Sequence, residues 1–413
     1  MARYLPWSEY KVSANESVNR REFFRRAGAM GMLGAMSDVM AFAEGGQSNV
    51  QHEVVPKQEV PASAESINFA VCGMSHDHIY GMVGAIIRGG GKLVAWHGAE
   101  PNKVARFAKA FPNVKQAHSE EEILNDKSIQ LVLSSTIANE RAPLGIRAMK
   151  AGKDFLSDKP GATTLEQVEA IRKTVKETGR IYAILYSELL EVKAAVYAGE
   201  LVKQGKIGRV IQTINIAPHQ IVQGGATNAG NGGADPRPDW FWVPEQYGGI
   251  LCDIGSHQVE QFLYYTGSTS AEVVESQISN IAHPEHPKFQ DFGDMVLRGD
   301  KGFGYVRLDW FTPDGLGTWG DGRLFILGTK GYIEVRKYTN VGVNKAGNNL
   351  FMVNGTEQKF IDCNNVDLPF GRQFVSDVVH RTHTAQDQAQ ALLAAELVVR
   401  AQKQAKWVKL DQA

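Results

Sequence analysis

Short apolar runs alternate with amphipathic stretches over residues 67–186. The runs Ile67–Cys72, Lys92–Trp96, Gln130–Ser134, Asp154–Ser157 and Ile181–Leu185 have the length of strands, and helical patterns lie between them. Strands that alternate with helices at this spacing predict an α/β domain with a doubly wound parallel sheet. In such sheets ligands bind at the carboxyl ends of the strands, near the point where the strand order reverses.

After residue 186 the pattern changes to strands of alternating polarity. Arg209–Ala217 and Glu272–Ile281 alternate, and Met295–Phe311 and Leu324–Tyr338 each fold over a glycine-containing turn, which is typical of hairpins. Residues 187–413 are therefore predicted to form an α+β domain with an open, mainly antiparallel sheet, followed by a packing helix at Ala385–Gln404. Two domains agree with a length of 413 residues.

The first 43 residues differ from the rest of the chain. Arg20 and Arg21 are followed by aromatic residues and by a run rich in Gly, Ala and Met that ends in Ala41-Phe42-Ala43. This arrangement is similar to a twin-arginine export signal with an A-x-A cleavage site. We expect a signal peptide at 1–43, a polar linker at 44–66 and a periplasmic or exported protein. The alternative is an amphipathic helix on a cytoplasmic protein.

Composition and charge exclude several classes of partner. The formal net charge is −1, and no long basic block is present, so nucleic acid is not expected as a partner. No apolar run reaches the roughly 18 residues that suggest a membrane span. The three cysteines, Cys72, Cys252 and Cys363, form no CxxC pattern and are too few for a disulfide scaffold. No metal site is expected.

The turn after the first predicted strand has the position of a dinucleotide phosphate cradle. It reads Gly73-Met74-Ser75-His76-Asp77-His78, so only the first glycine of a GxGxxG fingerprint is kept. Gly73, Ser75, His76 and His78 are candidate cofactor-binding residues. A plain turn with a serine cap is an equal alternative.

The end of the second predicted strand is where such domains select between NAD and NADP. Gly98 stands where the acid that binds the ribose of NAD is expected, and Lys103 follows closely. This arrangement favours NADP. Glu100 could instead supply the acid after a shift of one turn, so NAD and NADP both remain open.

Two further motifs resemble those of a known family. Asp158-Lys159-Pro160 follows the Ala151-Gly152-Lys153 segment, and Gly248 and Gly249 begin a segment that continues to Asp253 and His257. Together they resemble the AGK…EKP and GGG-x-x-x-D-x-x-x-H segments of the Gfo/Idh/MocA oxidoreductases, with Asp158 in place of the family Glu and Ile250 in place of the third Gly.

The resemblance carries expectations for fold and partners. It implies an N-terminal NAD(P)-binding Rossmann domain at 67–186, with Asp158, Lys159 and Pro160 near the cofactor, and a substrate-binding domain at 187–413. It also implies a homo-oligomer, a dimer or a tetramer, formed through the open sheet. The expected substrate is a small sugar or polyol.

Three residues carry the predicted chemistry. Asp253 and His257 are four positions apart, so on a helix they share one face. Oxidation of a secondary alcohol needs a base for the hydroxyl proton, and His257 has a suitable ordinary pKa. Asp253 would orient the His257 ring or bind a substrate hydroxyl. Lys159 would place a cation beside the reacting oxygen.

Other residues are candidates for substrate binding. Trp240 and Trp242 follow the Gly-rich stretch 224–233 and could cover a sugar, or could be core aromatics. His219 could line the pocket, or could be an ordinary histidine at the end of a strand.

These residues leave three hypotheses for function. The first is an NAD(P)-dependent oxidoreductase that acts on a sugar or polyol and retains its cofactor. The second is an NAD-dependent glycosidase that uses transient oxidation at C3 followed by elimination. The third is a non-catalytic sugar-binding protein.

Overall fold

A computed structural model describes residues 50–57, 65–221, 237–342 and 347–410. The expected signal peptide and the Gly-rich stretch 224–233 lie outside these ranges. Among the described residues, none of the helices combines the length and the apolar content needed to cross a bilayer.

The first half of the described chain alternates strands and helices. Its elements in chain order are β1 (Gln51–Val54), β2 (Ile67–Cys72), α1 (His78–Arg88), β3 (Gly91–His97), α2 (Pro101–Ala110), β4 (Lys115–Gln116), α3 (Glu120–Asn125), β5 (Leu131–Ser134), α4 (Ala138–Lys150), β6 (Asp154–Asp158), α5 (Leu165–Thr178), β7 (Tyr182–Leu185), α6 (Ser187–Leu190) and α7 (Lys193–Lys203).

Strands β2 to β7 form the predicted parallel sheet. Their order is β4-β3-β2-β5-β6-β7, and every pair is parallel. Strands β5, β6 and β7 are buried along their whole length, which explains why they read as continuous apolar runs rather than as alternating ones. The order reverses between β2 and β5, so ligands are expected at the carboxyl ends of these strands.

The second half of the chain carries the remaining elements. They are β8 (Val210–Pro218), a 3₁₀ turn (Asp239–Trp242), α8 (Pro244–Tyr247), α9 (Ile250–Asp253), α10 (Gly255–Thr266), β9 (Ala271–Ser279), β10 (Phe292–Gly299), β11 (Phe303–Asp309), a second 3₁₀ turn (Asp314–Leu316), β12 (Arg323–Gly328), β13 (Gly331–Arg336), β14 (Asn349–Asn354), β15 (Gln358–Asp362), α11 (Phe370–His380), α12 (Gln388–Gln404) and β16 (Lys406–Trp407).

A ten-stranded mixed sheet organises this half. Its order is β1-β15-β14-β13-β12-β8-β11-β10-β9-β16. The two predicted hairpins are present, because β10 pairs antiparallel with β11 and β12 pairs antiparallel with β13. The central strand β8 runs parallel to β11 and antiparallel to β12. The predicted fold class is therefore confirmed, with an α/β parallel sheet followed by a sheet that is mainly antiparallel.

One edge of the larger sheet differs from the sequence-based expectation. Residues 51–54 fall within the predicted linker, yet they form β1, which pairs in parallel with β15. Most of this strand is exposed, so its sequence lacks the apolar alternation that marks a half-buried strand. Val55, directly after it, is buried in a core with Ile361 and Cys363.

Helix α11 connects the two halves of the molecule. Its residues Phe370, Phe374 and Val375 pack in the same hydrophobic cluster as Met82 and Ile86 of α1. A segment near the end of the chain thus completes the core of the parallel sheet.

Candidate active site

The carboxyl end of β6 lies against the junction between helices α9 and α10. Lys159 follows β6 directly, and its Nζ atom lies 2.5 Å from Oδ1 of Asp253 at the end of α9. The two side chains are only 5% and 15% exposed. Burial is the largest single effect and raises the pKa of the Asp253 carboxyl, but Lys159, His76 and Arg237 together lower this pKa to about 2. Asp253 is thus an ionised partner for Lys159.

The two glycines before α9 allow this helix to pack closely against α12. Gly248 and Gly249 both have positive φ, +92° and +83°. A Cβ on Gly249 would lie 2.3 Å from the side chain of Gln402 in α12. The Gln402 amide oxygen in turn accepts a hydrogen bond from the backbone N–H of Leu251. These contacts fix the position from which Asp253 reaches Lys159.

His257 lies one turn beyond Asp253 and is 2% exposed. Within residues 50–57, 65–221, 237–342 and 347–410, its Nδ1 atom has no hydrogen-bond partner. Burial lowers the pKa of His257 to about 3, against the opposite influence of the Glu188 carboxylate. The ring is therefore neutral near neutral pH. Asp253 is already paired with Lys159. Among the neighbouring groups, the Glu188 carboxylate has the largest favourable effect on a charged His257 ring.

Glu188 is a residue of this site that the sequence analysis missed. It is 2% exposed in α6, just after β7. Its Oε2 accepts hydrogen bonds from Lys337 Nζ at 2.6 Å and from Gln258 Nε2 at 2.9 Å. Burial is the largest single effect and raises the pKa of Glu188, but Lys337, His257 and His219 together lower this pKa to about 2. The sequence signal that could have identified Glu188 is its position as an acidic residue shortly after the last strand of the parallel sheet.

His219 lies beside the same carboxylate. Its Nε2 atom is 4.0 Å from Oε1 of Glu188, and its ring makes edge contacts with Trp310 and Trp319. Burial lowers the pKa of His219 to about 4. The structure therefore brings His219 into the Glu188 network at the end of β8.

The two tryptophans that were predicted to cover a substrate pack against other aromatic rings. Trp242 stacks on His286 with ring centroids 3.9 Å apart and makes an edge contact with Phe289. Trp240 contacts Phe241, and both tryptophans are partly buried against the main core. These contacts agree with the alternative that the sequence left open, in which the tryptophans are core aromatics.

The first strand–helix turn has features that a dinucleotide phosphate requires. Gly73 has φ +81°, and a Cβ there would lie 2.6 Å from Cβ of Thr136. Helix α1 then begins at His78, and its N-cap residue Asp77 makes no side-chain capping hydrogen bond. An uncapped helix N-terminus after a glycine turn fits the phosphates of NAD or NADP.

The segment after β3, where the cofactor ribose is expected, is built differently from the sequence-based expectation. A Cβ on Gly98 would lie 2.9 Å from Cε of Met74, so Met74 packs closely over this position. Glu100 accepts a hydrogen bond from the hydroxyl of Ser75. Lys103 lies 3.0 Å from the carboxylate of Asp77. Both an acid and a cation thus lie near the expected ribose position, and the choice between NAD and NADP stays open.

Asp158 lies between the turn and the site and is 1% exposed. Its two oxygens contact Nδ1 of His76 at 2.7 Å and Nδ1 of His78 at 2.9 Å. Arg141, which is also buried, lies 3.2 Å from the same carboxylate. Burial raises the pKa of Asp158, but Arg141 and the two histidines together hold it well below its usual range. The Lys159–Pro160 peptide bond that follows is cis.

Comparison with known families agrees with this geometry. Residues 67–186 match the model described as an oxidoreductase family with an NAD-binding Rossmann fold, and residues 196–334 match the GFO/IDH/MocA C-terminal domain. The chain belongs to the Gfo/Idh/MocA family of oxidoreductases. Its first domain is accordingly an NAD-binding Rossmann domain.

Solved structures of this family share the fold. A protein from Erwinia carotovora atroseptica SCRI1043, assigned as an oxidoreductase, is 45% identical with a TM-score of 0.78, over 83% of this chain and 100% of that chain. A levoglucosan dehydrogenase in complex with NADH and levoglucosan is 16% identical with a TM-score of 0.66, over 84% of this chain and 100% of that chain. The second comparison concerns the fold alone.

Curated relatives in the Gfo/Idh/MocA family include sugar dehydrogenases. D-xylose dehydrogenase of Paenarthrobacter nicotinovorans is 25% identical over 38% of this chain and 37% of its own length. Levoglucosan dehydrogenase of Pseudarthrobacter phenanthrenivorans is 25% identical over 49% of this chain and 50% of its own length. The matches therefore span half or less of these relatives.

Proposed function

We propose that this Gfo/Idh/MocA protein is an NAD(P)-dependent dehydrogenase that oxidises a secondary alcohol of a sugar or polyol. The observation that carries the proposal is the buried Lys159–Asp253 pair at the carboxyl end of β6. His257 lies one turn away, and its Nδ1 atom has no hydrogen-bond partner in the described part of the chain. A cation, a carboxylate and a neutral imidazole together suit a reaction in which an alcohol oxygen loses a proton.

Each of the three residues has a distinct part in this scheme. The ammonium group of Lys159 stabilises the negative charge that develops on the reacting oxygen. The neutral ring of His257 accepts the hydroxyl proton, and the Glu188 carboxylate stabilises the resulting charge. Asp253 holds Lys159 in place and can accept a hydrogen bond from a neighbouring hydroxyl. A bound NAD or NADP would supply the acceptor for the hydride that leaves the alcohol carbon.

The relatives support a sugar as the substrate. Two of them are named as dehydrogenases of D-xylose and levoglucosan, which carry several adjacent hydroxyl groups. The present site offers His219 beside Glu188, and Asp253 and His257 one turn apart, as polar groups that suit a polyhydroxylated molecule.

We further propose that the protein is exported with its cofactor and retains it. The twin-arginine-type pattern at residues 1–43 supports this idea. Mass spectrometry of the supernatant released by heating the purified protein is expected to show NAD or NADP in about equimolar amount. A supernatant without either nucleotide would contradict retention. The mass of the mature protein from the periplasm tests cleavage after Ala43.

Product analysis separates a dehydrogenase from a glycosidase. Incubation with free sugars and polyols is expected to yield a ketone product. Release of the aglycone from an aryl glycoside without net oxidation would instead favour the elimination mechanism and contradict the proposed net reaction.

The proposed homo-oligomer is supported by the outer face of the larger sheet. Val296 in β10 and Phe303 in β11 are 40% and 52% exposed, and both lie on the face opposite the buried Met295 and Leu297. Apolar side chains on an open sheet favour contact with a second copy. Light scattering on Phe303→Glu is expected to show a smaller species than the unchanged protein, and an unchanged mass would contradict this interface.

A further inference from the structure

A histidine–histidine–aspartate cluster lies at the turn between β2 and α1. Nδ1 of His76 and Nδ1 of His78 each contact a different oxygen of Asp158, at 2.7 and 2.9 Å. The two imidazole rings have centroids 4.0 Å apart. One ligand atom from each residue lies within 4.8 Å of the others, and no other group in the described ranges meets this criterion for a metal ion.

The chemistry of these groups matches that of transition-metal ligands. Two imidazoles and one carboxylate form a recurring ligand set for divalent iron and for catalytic zinc. Metal binding takes histidines in their neutral form and aspartate in its ionised form.

Arg141 fixes the position of the Asp158 carboxylate. Its guanidinium lies 3.2 Å from Oδ2 of Asp158 and also donates hydrogen bonds to the backbone oxygens of Thr136 and Lys159. Nδ1 of His76 and Nδ1 of His78 converge on the two oxygens of this buried carboxylate, so three potential ligand atoms lie together.

A third imidazole lies beside the cluster. The ring of His257 has its centroid 6.4 Å from that of His78, and its buried Nδ1 has no hydrogen-bond partner among the described residues. The cluster also adjoins the Lys159–Asp253 pair, because Lys159 follows Asp158 directly in the chain.

We propose that His76, His78 and Asp158 bind one divalent transition-metal ion at the margin of the active site. Three protein ligands leave coordination positions open for water or for a hydroxyl oxygen of the substrate. The side chains of the turn would bind the metal, and the N-terminus of α1 would remain for the cofactor phosphates. The sequence alone does not bring these residues together, because 80 residues separate His78 from Asp158.

Cobalt binding tests the proposal directly. Tag-free full-length protein is treated with EDTA, dialysed and titrated with Co²⁺, and bound metal is followed by visible absorbance and by elemental analysis. We expect one Co²⁺ per chain, displaced by Zn²⁺. His78→Gln is expected to weaken Co²⁺ binding at least about tenfold, because even the loss of a residue that only supports a metal ligand lowers metal affinity by about that factor. Asp158→Asn is expected to weaken it further.

A matched control uses a histidine outside the cluster. His118 is exposed, so His118→Gln is expected to bind Co²⁺ like the unchanged protein. Thermal unfolding of each variant shows whether the fold is retained. Absence of stoichiometric Co²⁺ and Zn²⁺ binding, or equal affinity in the unchanged protein and folded His78→Gln, would overturn the proposal. Because metal content is measured without turnover, this result is independent of the dehydrogenase assignment.

Discussion

At the residue scale, the site is built from buried cations that each have one carboxylate partner. Lys159 pairs with Asp253, and Lys337 pairs with Glu188. Lys159 and Asp253 could be proposed from the sequence because each stands in a short motif. Lys337 and Glu188 stand in no motif and are 149 residues apart, so only the fold brings them together.

The Glu188–Lys337 pair is expected to matter for stability. Glu188→Gln leaves the ammonium group of Lys337 buried without its charged partner, and such losses cost about 3–5 kcal/mol. Denaturant unfolding measures the change. The control Glu272→Gln removes an exposed pair with Arg298 and is expected to cost less than about 1 kcal/mol. Equal stability of the two variants would contradict the structural role of Glu188.

At the scale of elements, glycines set the distance between helices α1 and α11. A Cβ on Gly371 would lie 2.0 Å from the backbone oxygen of Ala85, and a Cβ on Gly89 would lie 2.2 Å from the oxygen of Gly371. No side chain fits between these backbones. The close approach allows Phe370 and Phe374 to enter the core of the parallel sheet.

Gly371→Ala is expected to destabilise the protein by about 3 kcal/mol, the upper part of the usual range for overpacking, because the neighbouring atoms are backbone. Gly81 is the matched control on α1, since a Cβ there meets nothing within 4 Å. Gly81→Ala is expected to be neutral or to stabilise the helix by up to about 1 kcal/mol. Thermal unfolding distinguishes the two, and a Gly371→Ala protein as stable as Gly81→Ala would refute the packing argument.

The sequence predicts those strands and helices whose pattern of apolar residues reflects which side chains are buried. Strand β5 is buried on both faces and reads as an apolar run, and the β12–β13 hairpin shows both alternation and a glycine-containing turn. The edge strands β1 and β16 are short and largely exposed, so they carry no such pattern. The docking of α11 on α1 depends on backbone contact at glycines, which hydrophobic periodicity does not show.

At the scale of the whole molecule, the long helix α12 connects the parallel sheet to helix α10 of the second half. Gln390 of α12 donates a hydrogen bond to Glu260 of α10, which is 2% exposed. Burial is the main cause that raises the pKa of Glu260 to about 8. Glu260 is therefore mostly protonated in the folded protein at neutral pH.

Glu260 is expected to make stability decrease with pH. Its folded pKa lies above its ordinary value, so its contribution is complete below about pH 4.5 and is lost as pH rises toward about 8. Unfolding free energies measured across that range should fall more steeply for the unchanged protein than for Glu260→Gln. The exposed residue Glu275 provides the control, and Glu275→Gln should follow the unchanged protein. Parallel curves for the unchanged protein and Glu260→Gln would contradict the buried, protonated state.

The central claim is that the Lys159–Asp253–His257 site oxidises a sugar or polyol. It is tested by the absorbance of reduced nicotinamide when NAD or NADP and a panel of sugars and polyols are added to the protein. Lys159→Met is expected to retain the fold and to lower kcat at least about a hundredfold, because it removes the cation beside the reacting oxygen. The control Lys115→Met changes an exposed lysine and should keep full activity. Substrate oxidation by Lys159→Met at the rate of the unchanged protein would contradict the account.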